Sequence, residues 1–463
     1  MGYPRASSLP SLYTRPDAEV FDVRAFGARG NGVVDDTASF VKALAAASER
    51  GGIVQVPEGS YVVQRMLRVG TNVRLKGVGP ASILKHDLGD PIVVAALGVS
   101  SCAVEDIAIT GRFAHGVLFE RCVASSLARC RIEGGIIPRY GYSSGAYVVV
   151  SRDITIEECT FDGNGGGERQ QGADIQCDGL GHKSGEIRIV GNRCRSIGVA
   201  ANIRCFDTSR SEISRNVVSG ARLMEADENG VGNNHGYGIV IYESQVNSDS
   251  CVDNAVLANE VSDTQGSGIY LVKAHRAHVS GNVINRVAHV QRDESLPVAG
   301  IALNRSRAVT VTHNQIADVG RAGISIVQGA VGADQSEISD NEIMRAGGYG
   351  IHLRGPSNGI RVVRNSVSAT NGGIGGDTSD LQTDLLIADN VLTRTRRVGI
   401  RLWHAQRSAI RNNTVRDPDG YVLDLAVDEA SEVAGNVLSR AGVTSIASEP
   451  DEVRLVRRAG VKR

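Results

Sequence analysis

The stretch GYGIHLRGPSNGIRVVRNSV, residues 348–367, has a Gly-Ile pair near its start and an asparagine near its end. The same arrangement returns in VGIRLWHAQRSAIRNNTV, residues 398–415. Most asparagines of this kind are separated by about 23 to 25 residues, a spacing typical of solenoid proteins. The repeat predicts that these asparagines stack on one another: Asn192, Asn216, Asn259, Asn282, Asn314, Asn341, Asn365, Asn390, Asn413 and Asn436.

Each period contains three short segments rich in β-branched residues, separated by polar turns. A period this short holds three strands but leaves no room for a helix of about ten residues. Three strands per period indicate one coil of a parallel β-helix, so the sequence predicts an all-β, single-stranded solenoid of about 12 coils. An asparagine repeated at one turn can bond the backbone of the next coil, which explains its recurrence.

The same register extends upstream with other residues at the asparagine position, which we assign to Asp106, Cys130 and Cys159. Cys177 and Cys205 each follow an inward isoleucine by two residues, so we expect them to stack on successive coils. The coil spacing of about 4.8 Å is compatible with a disulfide or with two buried thiols. Buried thiols acting as small apolar side chains are the preferred interpretation.

The segment DDTASFVKALAAASER, residues 35–50, predicts an amphipathic helix over 36–50 that begins at an aspartate and ends before Gly51. Such a helix would cover the exposed first coil. The expected organisation is therefore an N-terminal extension at 1–19, a β-helix domain at 20–447 including this capping helix, and a C-terminal tail at 448–463.

The composition excludes several partners. Fifty basic and 51 acidic side chains give a formal net charge of −1, which favours neither nucleic acid nor an anionic membrane. No apolar run approaches the roughly 18 residues of a membrane span. The first residues do not resemble a secretion signal, and both secreted and cytoplasmic locations stay open. A homo-oligomer is compatible with the sequence.

The run FDVRAFGARGNGVVDDTASFVKALAAASERGGIVQVPEGSYVV, residues 21–63, resembles the opening of pectate-lyase-superfamily right-handed β-helix proteins. The resemblance implies a right-handed coil and an activity on carbohydrates, since that superfamily contains polysaccharide lyases, glycoside hydrolases, phage tailspike depolymerases and mannuronan C5-epimerases. The Asp-Pro-His motif of the epimerases is absent, and so is the polygalacturonase set. No catalytic residue is therefore carried over from these relatives.

Inserted residues predict where a site lies. Extra residues accumulate at 134–145, 162–172, 219–236 and 286–298, between the asparagine strand of one coil and the Gly-Ile strand of the next. Long loops beside a flat sheet form a groove, so the coils from about 140 to 305 should line the functional cleft. Alternation about the inward isoleucines places the following residues outward: Asp174, Gln176, Asp178, Asn202, Arg204, Phe206, Val240, Tyr242, Tyr270 and Asn304.

Asp207, Glu243 and Lys273 follow successive strands in the same register. We expect Asp207 and Glu243 to carry the chemistry as acid and nucleophile or base, with Asp174 and Asp178 as the next candidates. The expected substrate-binding residues are Gln176, Arg204, Glu225, His235, Tyr237, Tyr242, Tyr270, Lys273 and Asn304. Trp403 and His404 are interpreted as a surface aromatic and a turn histidine.

The leading functional hypothesis is hydrolysis of a glycosidic bond in a polysaccharide or oligosaccharide, using two carboxylates. Elimination from a uronic acid and non-catalytic glycan binding by a spike or adhesin stay open as alternatives. No cofactor or metal is required, although the acidic residues of the 219–236 loop are also compatible with Ca²⁺.

Overall fold

The computed structural model describes residues 18–135, 143–164, 172–180, 184–196, 200–222, 236–244, 250–289, 298–327, 335–376, 381–416, 418–419, 421–428, 430–439 and 453–458. These residues form a parallel β-solenoid of about 13 turns, which confirms the predicted fold class. Three parallel sheets run along the solenoid. We call them sheets A, B and C in the order in which the chain first enters them.

Sheet A contains the strands Val20–Asp22, Gly52–Gln55, Val73–Lys76, Ala103–Glu105, Val123–Ala128, Arg152–Glu157, Ser184–Gly185, Arg188–Val190, Thr208–Ser209, Glu212–Ser214, Ala255–Leu257, His278–Ser280, Thr310–Thr312, Glu337–Ser339, Arg361–Val363, Leu386–Ala388, Ala409–Arg411 and Glu432–Ala434. Sheet B contains Asn31–Asp35, Gly59–Val62, Ser82–Asp87, Ala108–Arg112, Arg131–Glu133, Thr160–Asp162, Arg193–Arg195, Val217–Ser219, Glu260–Ser262, Val283–Val287, Gln315–Val319, Glu342–Ala346, Ser366–Ser368, Val391–Thr393, Thr414–Arg416 and Val437–Ser439.

Sheet C contains Leu67–Arg68, Ile92–Leu97, His115–Glu120, Ser144–Val149, Ala173–Asp178, Ala201–Phe206, Tyr237–Tyr242, Ile269–Val272, Ala299–Asn304, Ala322–Val327, Tyr349–Arg354, Ser357–Asn358, Gly372–Gly375, Gln382–Thr383, Val398–Gln406, Tyr421–Asp428 and Val453–Arg458. Its last strand pairs in parallel with Tyr421–Asp428, so part of the segment expected to be a tail continues the sheet. No helix in the described part of the chain is long and apolar enough to span a membrane.

The capping helix is present as Thr37–Arg50, preceded by a short 3-10 helix at Val23–Phe26. Its buried residue Phe40 packs edge-on against Tyr61 of the first coils, with ring centroids 5.4 Å apart. Asp35 rather than the N-cap residue Asp36 accepts the hydrogen bond from the Thr37 backbone nitrogen, at 2.9 Å. The helix therefore covers the start of the solenoid, as its apolar face predicts.

The asparagine ladder is confirmed. The backbone nitrogen and Nδ2 of Asn365 donate to Oδ1 of Asn390, at 2.9 and 3.0 Å. Asn390 repeats both bonds to Oδ1 of Asn413, at 3.1 and 2.9 Å, and its Nδ2 also donates to the Val362 carbonyl. These amides are buried and out of reach of water. The Oδ1 atom of each asparagine therefore supplies the acceptor for the N–H groups of the asparagine one coil earlier.

Upstream, cysteines continue the ladder as predicted, because the Cys159 nitrogen donates to Oδ1 of Asn192 and the Cys130 nitrogen to Sγ of Cys159. The assignment of Asp106 was wrong by one residue. The nitrogen of Arg131 bonds the carbonyl of Ile107, which is the ladder position, whereas Asp106 has a φ of 57° and belongs to the turn before it.

Cys177 and Cys205 stand opposite each other in neighbouring strands of sheet C. Both are free thiols, and all eight cysteines are buried and unpaired by disulfides. Burial raises the pKa of the Cys102 thiol to about 11, so it stays protonated and acts as an apolar side chain. The preferred interpretation of Cys177 and Cys205 as buried thiols is confirmed in this structure.

Candidate functional site

The inserted segments join sheet B to sheet C at one edge of the solenoid, for example between Val217–Ser219 and Tyr237–Tyr242. Much of each insertion, at 136–142, 165–171, 223–235 and 290–297, lies outside the described residues. The predicted binding residues Glu225 and His235 and the acidic loop considered for Ca²⁺ fall there. Among the residues that the structure does describe, no group of three or more His, Cys, Asp or Glu side chains could hold a metal ion.

The outer face of sheet C carries two columns of interest, because neighbouring coils are in register and about 4.8 Å apart. We call the column through the strand centres the middle column and the column at the strand ends the last column. The middle column contains Tyr147, Gln176, Arg204, Val240, Tyr270 and Ala302. The last column contains Glu120, Val149, Asp178, Phe206, Tyr242, Val272 and Asn304.

Aromatic rings form two adjoining pairs on this face. The rings of Phe206 and Tyr242 are 5.1 Å apart, and those of Tyr237 and Tyr270 are 4.8 Å apart. The Arg204 guanidinium lies 4.1 Å from the centre of the Phe206 ring, a cation–π distance. The predicted residues Arg204, Tyr237, Tyr242 and Tyr270 are thus brought together.

Polar groups border these rings. Nδ2 of Asn304 donates to the Tyr270 hydroxyl at 3.0 Å, and burial raises the pKa of that hydroxyl. Lys273 lies in the turn after the strand Ile269–Val272, with a φ of 50°. Gln176 is 2% exposed, and within the described structure its Oε1 accepts no hydrogen bond. A buried amide oxygen without a donor is costly unless a water or ligand supplies one.

Asp178 is the half-buried carboxylate of the last column. Burial raises its pKa, and the nearby Asp207 carboxylate acts in the same direction. The Leu180 nitrogen and the Tyr147 side chain donate to it and partly oppose that rise. A carboxyl group with a raised pKa beside an aromatic surface is suited to donate a proton.

Asp207 and Glu243 occupy the same register on successive coils and converge on Ser250. The Ser250 hydroxyl donates to Asp207 Oδ1 at 2.8 Å, and its backbone nitrogen donates to Glu243 Oε2 at 3.2 Å. Ser244 also donates to Asp207 through its nitrogen and its hydroxyl. With exposures of 0% and 2%, neither carboxylate lies open to the outer face in this structure.

Asp174 and Asn202 do not point outward, and this part of the prediction was wrong. Both are fully buried at the corner between sheets B and C, where Asn202 Nδ2 donates to Asp174 Oδ2 at 3.1 Å. Asn164 and Ser196 also donate to Asp174, yet burial prevails and raises its pKa to about 7. Asp174 is sealed from any ligand on the outer face.

Three further residues of the face escaped the sequence analysis. The His115 and Tyr147 rings lie 4.8 Å apart, and burial lowers the pKa of His115 to about 4, so it is neutral at pH 7. Glu120 stands two coils before Asp178 in the last column and pairs with Arg121 at 2.7 Å. The alternation that could have identified them is present in HGVLFE, one coil before the interval that the insertions marked, and in SGAYVV, the first coil within it.

Comparison with known proteins agrees with this architecture. The family model described as "Right handed beta helix region" matches residues 224–380 and 299–451. A second model, "Rhamnogalacturonase A/epimerase, pectate lyase-like", matches residues 20–201. The chain is a right-handed parallel β-helix protein with a pectate-lyase-like fold.

Solved structures of similar fold include two bacteriophage tailspikes and one bacterial surface adhesin. Tailspike protein 3 of bacteriophage CBA120 has a TM-score of 0.59 at 13% identity, over 96% of this chain and 62% of that one. The tailspike of E. coli bacteriophage HK620, solved with a hexasaccharide, has a TM-score of 0.57 at 14% identity, over 90% and 77%. PfbA, a surface adhesin of Streptococcus pneumoniae, has a TM-score of 0.50 at 13% identity, over 89% and 93%.

One curated relative is 32% identical over 94 residues, the non-secreted LysM effector LysM19 of Penicillium expansum. The match covers 19% of this chain and spans 8% of the length of that protein.

Proposed function

We propose that the protein binds a saccharide chain along the outer face of sheet C and hydrolyses one of its glycosidic bonds. Aromatic rings stack on the apolar faces of sugars, while amides and guanidinium groups bind hydroxyls. The rings of Phe206, Tyr242, Tyr237 and Tyr270 adjoin such polar groups here. The hexasaccharide bound by the HK620 tailspike, a protein of similar fold, supports the same class of ligand.

The observation that carries this proposal is the pair of half-buried rings at the strand ends, Phe206 and Tyr242, which lie 5.1 Å apart. The Arg204 guanidinium lies 4.1 Å from the centre of the Phe206 ring, and Asp178 is the neighbour of Phe206 in the last column. A sugar ring would stack on the aromatic pair, and its hydroxyls would bond the Asp178 carboxylate beside it. The face is therefore suited to a saccharide, which has both apolar faces and hydroxyl groups.

In the proposed reaction, Asp178 is the general acid that protonates the glycosidic oxygen as the bond to the leaving sugar breaks. Glu120 is the general base that removes a proton from the water attacking the anomeric carbon. The two residues are two coils apart in one column, or about 9 to 10 Å between Cα atoms. Carboxyl groups separated by roughly 6.5 to 9.5 Å are typical of inverting glycosidases. The proposed outcome is inversion.

Asp207 and Glu243 enter this proposal as positioning residues. The Asp207 carboxylate raises the pKa of Asp178 and so favours its protonated form. Replacing Asp207 by Asn should therefore shift the alkaline limb of the activity profile to lower pH. A purely structural role for Asp207 would change stability without moving that limb.

The test is incubation with neutral and uronic polysaccharides, read by reducing ends and by the absorbance of an unsaturated product. Asp178→Asn and Glu120→Gln should each lower turnover by about 10²-fold or more. Glu260→Gln, an exposed carboxylate on sheet B, is the matched control and should act like the parent protein. Full turnover in Asp178→Asn, or an unsaturated product, would refute hydrolysis by this pair.

A second candidate is a non-catalytic glycan-binding spike or adhesin. The burial of Asp207 and Glu243 favours it, because two of the carboxylates in the site are unavailable to a substrate. The fold similarity to PfbA is compatible with it. Saturable saccharide binding without product release from any polysaccharide would support this alternative over hydrolysis.

A further inference from the structure

A second polar and aromatic surface lies on sheet C beyond the proposed site. It consists of Tyr349, His352, Arg401, Trp403 and Asp424, which we call the distal cluster. Trp403 stands four coils after Asn304, or about 19 Å along the solenoid at the usual coil spacing. A single sugar unit cannot contact both surfaces.

The distal cluster is held by a nearly buried ion pair. Nε of Arg401 donates to Asp424 Oδ2 at 2.9 Å, and the two side chains are 10% and 5% exposed. The indole nitrogen of Trp403 donates to the same Oδ2 at 3.2 Å, and the Arg401 guanidinium lies 5.2 Å from the indole. Trp403 is itself 38% exposed, so its ring is fixed at one edge and accessible.

The neighbouring coil has glycine at its outward positions. The Tyr349 ring lies directly against Gly372, where an added Cβ would be 2.5 Å from Tyr349 Cδ1. Gly375 has a φ of 124°, a conformation that favours glycine. The rings of Tyr349 and His352 stack at 5.2 Å with an angle of 16°. The coil between these rings and Arg401 therefore places no side chain on the outer face at residues 372 and 375.

We propose that the distal cluster is a second saccharide-binding site, in which a sugar ring stacks on the exposed indole of Trp403. The nearly buried pair of Asp424 and Arg401 holds the nitrogen edge of that indole, so the ring needs no rearrangement before a sugar binds. The parallel ladder itself does not require an exposed tryptophan there. The choice of ligand class rests on the proposed function, whereas the site does not depend on catalysis.

The experiment uses the fact that Trp403 is the one tryptophan of the chain, so tryptophan emission, excited selectively at the red edge of the absorption band, reports this position alone. The full chain is titrated with maltohexaose, cellohexaose and hexagalacturonic acid while emission and, separately, calorimetric heat are recorded. At least one probe should give a saturable change in emission. Asp424→Asn should weaken that binding at least tenfold, whereas Glu432→Gln, an exposed carboxylate on sheet A, should leave it unchanged.

This inference is overturned if none of the three saccharides changes the Trp403 emission. It is also overturned if Asp424→Asn and the parent protein bind with equal affinity. Circular dichroism of each variant shows whether the solenoid is intact, and Trp403→Phe provides a second variant whose calorimetric binding should weaken. Asp178→Asn should keep the fluorescence response because it lies in the other site. If no polysaccharide is hydrolysed but the Trp403 emission still responds to a saccharide, only the proposed reaction is refuted. If product is released but the emission does not respond, only the distal site is refuted.

Discussion

Replacing Asn390 with Ala tests the asparagine ladder where it is fully buried. The change removes the bonds from Nδ2 to the Val362 carbonyl and to Asn413, at 2.8 and 2.9 Å, and both bonds that Oδ1 accepts from Asn365. Asn413 Oδ1 keeps its bond from the Asn390 nitrogen, and Asn365 Nδ2 keeps the Ile338 carbonyl.

One group then loses its partner, the Asn365 N–H, whereas the Val362 carbonyl stays paired with the neighbouring strand Leu386–Ala388 of sheet A. A buried polar group left unpaired costs about 1 to 3 kcal/mol, so the free energy of unfolding should fall by about 1 to 3 kcal/mol. Asn390→Cys should cost less than Asn390→Ala. Cys159 holds the same ladder position in an earlier coil and serves both as acceptor and donor there.

Asn436→Ala is the matched control, because Asn436 makes the same kinds of bonds at the half-buried end of the ladder. Water can replace its partners, so the loss should be well under half of that for Asn390→Ala. Urea unfolding followed by circular dichroism gives the free energies. Amide exchange around residue 390 shows whether a few coils open separately, since repeat arrays can depart from two-state unfolding. Equal losses at the two positions would refute the reasoning from burial.

Two other predictions concern ionised groups. The folded-state pKa of Asp174, raised to about 7, means that only the folded chain holds this proton between about pH 4 and 7. Its stabilising effect is full below that window and is lost as pH rises through it, at about 1.4 kcal/mol per pH unit. Asp174→Asn should flatten this pH dependence in urea unfolding, and an unchanged slope would contradict the assignment. On the surface, Arg286 pairs with Asp263 at 2.7 Å, with both side chains about half exposed. A double-mutant cycle should give a small coupling that declines with salt, and a large, salt-independent coupling would be inconsistent with an exposed pair.

The ladder and the three sheets could be predicted from sequence because a solenoid converts sequence period into spatial contact. Residues one period apart, such as Asn390 and Asn413, become vertical neighbours whatever the loops between them do. The same rule gave the shared register of Asp207 and Glu243. Their burial could not be predicted in this way. It depends on Ser250, which follows an insertion in one coil, so that no repeat spacing gives its position.

The inward placement of Asp174 shows where simple alternation fails. Most coils have glycine at this position, because the chain bends there and a side chain would point into the corner. A Cβ on Gly238, for example, would lie 2.4 Å from Val261 Cγ1. Beside Asp174, the corresponding residue of sheet B is Cys194, a smaller side chain than the Phe161 of the preceding coil. The space admits a carboxyl and its three donors.

In this fold, departures from the repeat therefore carry more functional information than the repeat itself. The consensus accounts for the inward isoleucines, the ladder and the turn conformations, and it leaves the outward columns free to vary. Tyrosine, arginine and aspartate at Tyr270, Arg204 and Asp178 serve no need of the coil. The same holds for Trp403 and Asp424, four and five coils beyond the first surface. Because vertical neighbours are about 4.8 Å apart, any two such departures in adjacent periods are forced into contact. A ligand-binding surface can thus arise from single substitutions that leave the solenoid unchanged.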